Sequence, residues 1–414
     1  MIVNMAFDLV TLLVWLSHFF SIKLHKQNWI KEYFVCLFSN LSKAFDTVNH
    51  EILLSKLDFY GIRGIALNWL NNYLSYRTQY IDYLGTQSGE RAVVCGVPQG
   101  SLLGPLLFLL YINDLPNVSK RLNALMYADD TTFFISNKSL SDIETTVNNE
   151  TAKITKWMKL NKLSLNVNKT HAMLFGKKAD CNSSLHLEIN DISIDLKEQT
   201  KFLGVLIDNK LQWLHHIQFV ASKIAKGIGI INKIKYKLNT KTLSNLYYTF
   251  IYPYLIYSNV VWGNAATRYL NSLFLLQKRI VRIISRSGFR DPTEMLFSSL
   301  NILNIYELHV YYVCIFMYKF DKGLLPNVFD ILFTKYVKDH GYSTRVRMRF
   351  VPPFCRTNFR KNTIFYIGAC LYNSIFEHCS ENLDNYTSMN SFKRVLRILI
   401  KQGQLHLNSM QGTV

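Results

Sequence analysis

A chain of 414 residues with 49% hydrophobic content buries a large core, which excludes a disordered protein and suggests two or three domains. Lys and Arg outnumber Asp and Glu 47 to 28, giving a net charge of +19, so an anionic partner is expected, either nucleic acid or an acidic membrane surface. The seven cysteines are scattered without CxxC spacing, which argues against a disulfide framework and a zinc ribbon and reads as reduced thiols of an intracellular protein, nuclear or cytoplasmic.

Residues 9 to 22, "LVTLLVWLSHFFSI", form an apolar stretch interrupted by Ser17 and His18. It is shorter than the ~18 residues a membrane span needs, and no basic residues precede it as they would in a cleavable signal. A core helix is expected, no membrane partner, and no meaning for the sequon-like Asn117-Val118-Ser119. "FVCLFS" (34 to 39) reads as a buried strand, with Asn40 at its exit and Asp46 shortly after. "HEILLSKLDFYG" and "ALNWLNNYL" fit two short amphipathic helices, and "TQYIDYLG" with "RAVVCGV" alternates like a hairpin around Gly85 to Gly89.

"CGVPQGSLLGP" (95 to 105) has three glycines and two prolines leading into a helix, "SLLGPLLFLLYINDL", apolar on all sides and therefore expected to be buried. Such a loop either lets backbone approach a phosphate-bearing ligand or is a turn capped by Ser101. "ALMYADDTTFFI" reads as two strands pivoting on Asp129 and Asp130. Adjacent carboxylates with no basic residue near them in sequence suit a divalent cation, and equally an Asp-rich turn. A long helix from Ser141 to about Leu160 follows, and "HAMLFG" and "KFLGVLID" are strands.

The order of strand, helices, paired strands, helix and strand predicts an α+β fold, an antiparallel sheet with helices on one face. From His216 on the pattern is helical: Ile217, Val220, Ala221, Ile224, Ile228 and Ile231 keep helical spacing while Lys223, Lys226, Lys233 and Lys235 fill the other positions. That pattern stops near residues 338 to 345, after which Arg345, Arg347 and Arg349 alternate at period two; His378 and Cys379 adjoin with no zinc-ligand spacing around them.

"LSKAFD", "GVPQGSLLGPLLFLLYINDL", "YADD", "WMKLNKLSLNVNKTHAMLF" and "TKFLGVLID", in that order, resemble the reverse transcriptase of non-LTR retrotransposons of the jockey-like kind. "HGYSTR", "RTNFRKNTIFYIGACLYNSIF" and "SMNSFKRVLRIL" resemble the C-terminal segment of those elements. The resemblance implies a right-hand palm over residues 34–210, a helical thumb and connection over 211–338 and a basic helical or irregular segment over 339–414, preceded by a short helical remnant, 1–33.

It also implies RNA-directed DNA polymerase chemistry on an RNA template and DNA primer with deoxynucleoside triphosphates. Two Mg2+ ions, with Mn2+ as a substitute, would lower the pKa of the primer hydroxyl and stabilise the attacking and leaving oxygens. Asp129 and Asp130 match the catalytic metal-binding pair. Phe45 matches the aromatic residue that crowds the ribose 2′ position, a role compatible with a plain core aromatic. Gln99 matches the residue touching the incoming nucleotide, and Gly100 gives it room. Lys169 sits where a lysine near the leaving pyrophosphate is common, and reads equally as a surface lysine. Phe202, Leu203 and Gly204 match the hairpin that holds the primer end.

The sequence departs from that pattern at one decisive place: four residues before Ala44, where an aspartate is expected, stands Asn40. Asp46 belongs to the "AFD" triplet and does not replace it. An amide oxygen serves a hard cation less well than a carboxylate, so a weakened second metal site is expected. About 33 residues precede the first motif, fewer than the fingers of the family occupy, which suggests an element shortened at its 5′ side. The expected function is therefore a retrotransposon-derived polymerase domain impaired by Asn40, or alternatively a non-catalytic nucleic-acid-binding relic.

Overall fold

The computed structural model describes residues 33–175, 185–330, 332–335, 349–355, 361–378 and 388–405. They fall into two compact units that part between residues 199 and 200. The apolar stretch 9 to 22, the expected 338 to 345 boundary, Arg347 and the Cys379 end of the His378–Cys379 pair lie outside the described residues.

The first unit is built on strand β1 (Tyr33–Asn40), whose β-branched and aromatic residues suit a strand buried on both faces. β1 is flanked on one side by β3 (Asp130–Asn137) and on the other by β4 (His171–Phe175); β2 (Asn123–Tyr127) lies beyond β3. Every pairing is antiparallel. Alternation sends Val35, Leu37, Ala124, Met126, Phe133 and Leu174 into one core. Phe34 points to the opposite face, with its ring 5.9 Å from that of Phe134 and 6.0 Å from that of Phe175.

Four helices fill the first face: α1 (His50–Phe59), α2 (Ile65–Leu74), α3 (Leu103–Ile112) and α4 (Leu140–Leu160). Asn49 and Ser139 start α1 and α4 with side chains that accept backbone N–H groups of Ile52 and Asp142. Lys56 of α1 fastens three of these helices. Its Nζ donates to Asp114 Oδ1 and to the Tyr111 carbonyl, both at 2.6 Å, and lies 4.8 Å from the centre of the Trp157 ring. Trp157 completes the set by donating to Asp114 Oδ2 at 3.0 Å.

The α3 expectation needs correction. Its residues are apolar all round, yet only one side is buried: Leu106 is 51% exposed, and Leu102, just before the helix, 96% exposed. Hydropathy without periodicity does not say how many sides of a helix have neighbours. The hairpin expected around Gly85 to Gly89 forms as two short ladders, Thr78–Gln79 with Arg91–Ala92 and Asp82–Tyr83 with Thr86–Gln87, turning at Leu84 and Gly85.

The second unit opens with a two-stranded sheet, β5 (Gln199–Phe202) and β6 (Val205–Asp208), so "KFLGVLID" is two strands about a turn and not one. Helix α5 (Leu214–Ile234) follows, with Ile217, Val220, Ile224, Ile228 and Ile231 buried and Lys226 and Lys233 exposed, as the spacing predicts. Next come α6 (Thr240–Phe250), α7 (Thr267–Ser285) and α8 (Ile305–Asp321). α8 is buried almost throughout and begins with a reciprocal cap between Asn304 and Glu307. Against it pack α9 (Ile364–His378) and α10 (Met389–Lys401), the latter through a Tyr318–Phe392 ring stack at 4.3 Å. Arg349, the described member of the alternating arginines, pairs with the buried Asp321 at 3.1 Å. Among the described residues no helix is long and apolar enough to cross a membrane.

Candidate active site

The sheet of the first unit ends in a cluster of polar residues brought together by register. Asn40 lies directly across from Asp130, and Asp130 from Tyr127, so three strands deliver these residues to one edge. Asn40 Nδ2 donates to Asp130 Oδ1 at 3.3 Å. One residue back, Ser39 Oγ donates to the Thr131 carbonyl at 2.7 Å, which fixes the register from inside.

Asp129 and Asp130 are not equivalent. Asp130 is the first residue of β3, whereas Ala128 and Asp129 make the two-residue turn that joins β2 to β3. Ala128 takes φ +51, a left-handed conformation that costs a residue with a Cβ on the order of 1 kcal/mol. Both carboxylates are half-buried. Burial raises the Asp130 carboxyl above the ordinary aspartate value and the Asp129 charge raises it further, while the Asn40 hydrogen bond acts against both. Among the described residues no basic side chain pairs with either carboxylate, which is the condition a divalent cation relieves.

The chain after β1 returns close to Asn40. The Asn40 carbonyl accepts from the Asn166 backbone N–H at 2.9 Å, and the Asn166 side chain caps the short 3-10 turn Val167–Lys169. Lys169 thus follows a segment tied to the end of β1, and its side chain is exposed. Sequence reasoning missed Asn166, for nothing local marks a residue whose partner is a backbone carbonyl far away in sequence.

Phe45 is half-buried, its ring 4.6 Å from Phe108 of α3, at the edge of the core. The Gly/Pro loop is stitched to the segment that carries it. Val97 N–H donates to the Phe45 carbonyl at 2.8 Å and Gly96 N–H to the Val48 carbonyl at 2.7 Å. Gly96 must be glycine twice over, with φ +89 and a Cβ position 2.9 Å from the Asp46 carbonyl oxygen. Gln99 is exposed and donates from Nε2 to Asp46 Oδ1 at 2.8 Å, which gives Asp46 the role of orienting Gln99. Gly100 follows with φ +81. Ser101 Oγ accepts from Gly104 N–H at 2.9 Å, so the loop is capped as well as glycine-rich.

Phe202, Leu203 and Gly204 belong to the second unit. Phe202 is buried, and Leu203 and Gly204 form the turn between β5 and β6 with φ +46 and +83. Tyr257 braces that turn: its hydroxyl donates to the Leu203 carbonyl at 2.5 Å, and its ring lies 3.2 Å from where a Gly204 Cβ would be.

As for a metal ion, Asp129 and Asp130 supply carboxylate oxygens, the donor type that a hard cation takes. Among the described residues no group of three or more His, Cys, Asp or Glu side chains is placed to hold one. The third position of the cluster is the Asn40 amide.

Residues 5–207 match the family described as reverse transcriptase (RNA-dependent DNA polymerase). The chain is 27% identical over 296 residues to a probable RNA-directed DNA polymerase from transposon BS of Drosophila melanogaster, covering 67% of this chain and 32% of that protein. To the RNA-directed DNA polymerase from mobile element jockey of the same fly it is 28% identical over 266 residues, covering 62% and 29%. The chain thus spans about a third of the length of the curated relatives it matches. Among solved structures, telomerase from Candida albicans in complex with a TWJ fragment of telomeric RNA aligns with a TM-score of 0.42 at 13% identity, covering 73% of this chain and 55% of that one.

Proposed function

Because the chain carries a reverse transcriptase domain with retrotransposon RNA-directed DNA polymerases as its homologues, we propose that the edge formed by Asn40, Asp129 and Asp130 is a nucleotidyl-transfer site weakened at one ligand. The observation that carries this reading is the pairing of Asn40 with Asp130 across β1 and β3. A strand end that faces the acidic turn delivers an amide where the chemistry calls for a carboxylate.

Bound Mg2+, or Mn2+ in its place, would supply electrostatic stabilisation of the phosphoryl oxygens and a more acidic primer hydroxyl. Asp129 and Asp130 would hold one such ion. Asn40 gives a second ion only a neutral oxygen, so the pair of dications is less compensated than three carboxylates would make it. Phe45 and Gln99 are joined through the Gly/Pro loop; in this reading Phe45 would face the sugar and Gln99, held by Asp46, the incoming deoxynucleoside triphosphate. Lys169 would meet the pyrophosphate.

RNA template and DNA primer are the proposed partners, in line with the +19 charge. The four-stranded unit is read as a palm. The helices that follow, with the lysines of α5, are read as a thumb and connection, and Phe202, Leu203 and Gly204 as the grip on the primer end. The Asn40 amide favours a second reading for the same site, retained nucleic-acid binding with little or no synthesis.

Template-primer extension by the purified chain in Mg2+ and in Mn2+, beside Asn40→Asp and Asp129→Asn, separates these readings. Weak activity that Asn40→Asp raises and Asp129→Asn abolishes supports an impaired polymerase. Binding of template-primer with no extension in any variant supports the binding protein. Extension by wild type that Asp129→Asn leaves intact overturns both.

A further inference from the structure

The second unit holds a cavity of about 680 Å3 that the proposed polymerase site does not use. Its walls come from the short helix Tyr252–Ile256 with the residues after it, α8 with Leu325 beyond its end, and α10. Tyr252, Tyr257 and Tyr312 supply aromatic surface, and the hydroxyls of Tyr252 and Tyr312 lie 3.0 Å apart. Lys319, Lys393 and Arg397 supply charge, and all three are half-buried. Arg397 is seated 5.5 Å from the centre of the buried Tyr311 ring, so its guanidinium is positioned and not free in solvent.

No carboxylate lines this cavity, and among the described residues none pairs with these three cations. Burial raises the Tyr252 and Tyr312 hydroxyls above the ordinary phenol value, so the walls carry no anion of their own at neutral pH. Three cations over aromatic walls, with no counter-charge among the described residues, call for an anionic ligand, and the aromatic walls call for one with a flat apolar face. A cationic ligand is excluded by the charge, and a wholly apolar one leaves the cations unexplained. The size lies in the range of sites that enclose a small organic ligand, about 300 to 1,000 Å3.

From this geometry we propose that the cavity binds an unpaired nucleotide, its base stacked on the tyrosines and its phosphate held by Lys319, Lys393 and Arg397. The choice of a nucleotide over another phosphorylated aromatic compound rests on the nucleic-acid reading above; the demand for a flat anion does not. Tyr257 gives the site a mechanical link, for the residue that lines the cavity also donates to Leu203 in the β5–β6 turn.

The test uses the full chain in EDTA, so that binding is read apart from any metal at Asp129 and Asp130. The probes are a fluorescent single-stranded oligonucleotide of about twelve residues, a length within the range such sites cover, and the blunt duplex of the same length. Lys393→Gln with Arg397→Gln is expected to weaken the single strand by about tenfold or more and to leave the duplex within about twofold. Lys226→Gln, a cation of α5 outside the cavity, sets the scale for a general loss of charge. Equal losses for strand and duplex, or a loss no larger than that of Lys226→Gln, would overturn the proposal. Tyr312→Ala is expected to cost about tenfold through lost stacking, with Tyr312→Phe close to wild type.

A variant-free measurement guards against misfolding. A strand carrying 5-bromouracil, photocrosslinked to the wild-type chain, is expected to label Tyr252, Tyr257 or Tyr312, and labelling confined to other peptides overturns the site. Adenosine monophosphate then distinguishes the source. Competition at millimolar concentration assigns the free mononucleotide, and crosslinking without competition assigns a nucleotide within a strand. A lost metal site with intact strand binding overturns only the polymerase reading.

Discussion

Replacing Asn40 by aspartate tests the site most directly, because the change is nearly isosteric and its electrostatic consequence can be worked out. Asn40 Nδ2 lies 3.3 Å from Asp130 Oδ1. A carboxylate oxygen in its place turns an attraction into a repulsion of roughly 1 kcal/mol in water and roughly 5 kcal/mol at an effective dielectric of 20. The cluster is half-buried, so a destabilisation of about 2 to 3 kcal/mol is expected in the absence of metal. That figure has a sign in pH. Asp130 is already raised by burial and by Asp129, and a third carboxylate raises the cluster further. Its protonated form is favoured by folding, so the stability is fully present below the unfolded aspartate pKa of about 3.9 and is lost as pH rises through the folded value.

A dication reverses the balance, since each carboxylate now attracts it. Asn40→Asp is expected to bind Mn2+ roughly ten to a hundred times more tightly than wild type at neutral pH. Asn40→Asp with Asp129→Asn should lose that gain. Free Mn2+ measured by electron paramagnetic resonance during titration gives the affinities. Thermal unfolding with and without Mn2+ gives the coupled stability, about 2.7 kcal/mol at a hundredfold excess over Kd. Equal Mn2+ affinity in wild type and both variants would refute the reasoning, because it would mean that the residue at position 40 does not share a site with Asp129.

Gly96→Ala should destabilise the first unit by at least about 2 kcal/mol, read as a lower urea midpoint, since the new Cβ meets the Asp46 carbonyl at 2.9 Å and φ is +89. His216 and His309 are buried and held neutral, each lowered to about 4 by desolvation. A lowered folded pKa means stability that is present above the unfolded value of about 6.5 and lost as pH falls toward the folded one. About 3 kcal/mol per histidine is at stake between pH 6.5 and 4, and denaturant midpoints at pH 7 and 4.5 should show a smaller drop for His216→Gln than for wild type. Binding of an RNA–DNA duplex should weaken steeply with added salt, given a net charge of +19; an affinity that stays flat from low to high salt contradicts an electrostatic contact with the phosphates.

What sequence alone determined was carried by local pattern and by order. β1 is written in the run "FVCLFS", α5 in its helical repeat of isoleucines, and α4 in a period that the structure follows from Leu140 to Leu160. The order of the motifs brought Asn40 and the Asp pair into one hypothesis. Tertiary structure decided everything that depends on pairing across long separations. The register that sets Asn40 against Asp130 spans ninety residues, and a slip of one position would turn Asn40 to the other face.

The same holds for Gln99 on Asp46, for Asn166 on the end of β1, and for the tyrosines and cations gathered from the Tyr252–Ile256 helix, α8 and α10. The exposed side of α3 was illegible for a related reason: its apolar residues satisfy any burial, and only the positions of the neighbouring elements decide which side receives it. Periodicity reports the geometry of one element against itself, whereas a site is made where several elements end, and their meeting is fixed by the packing of the whole core.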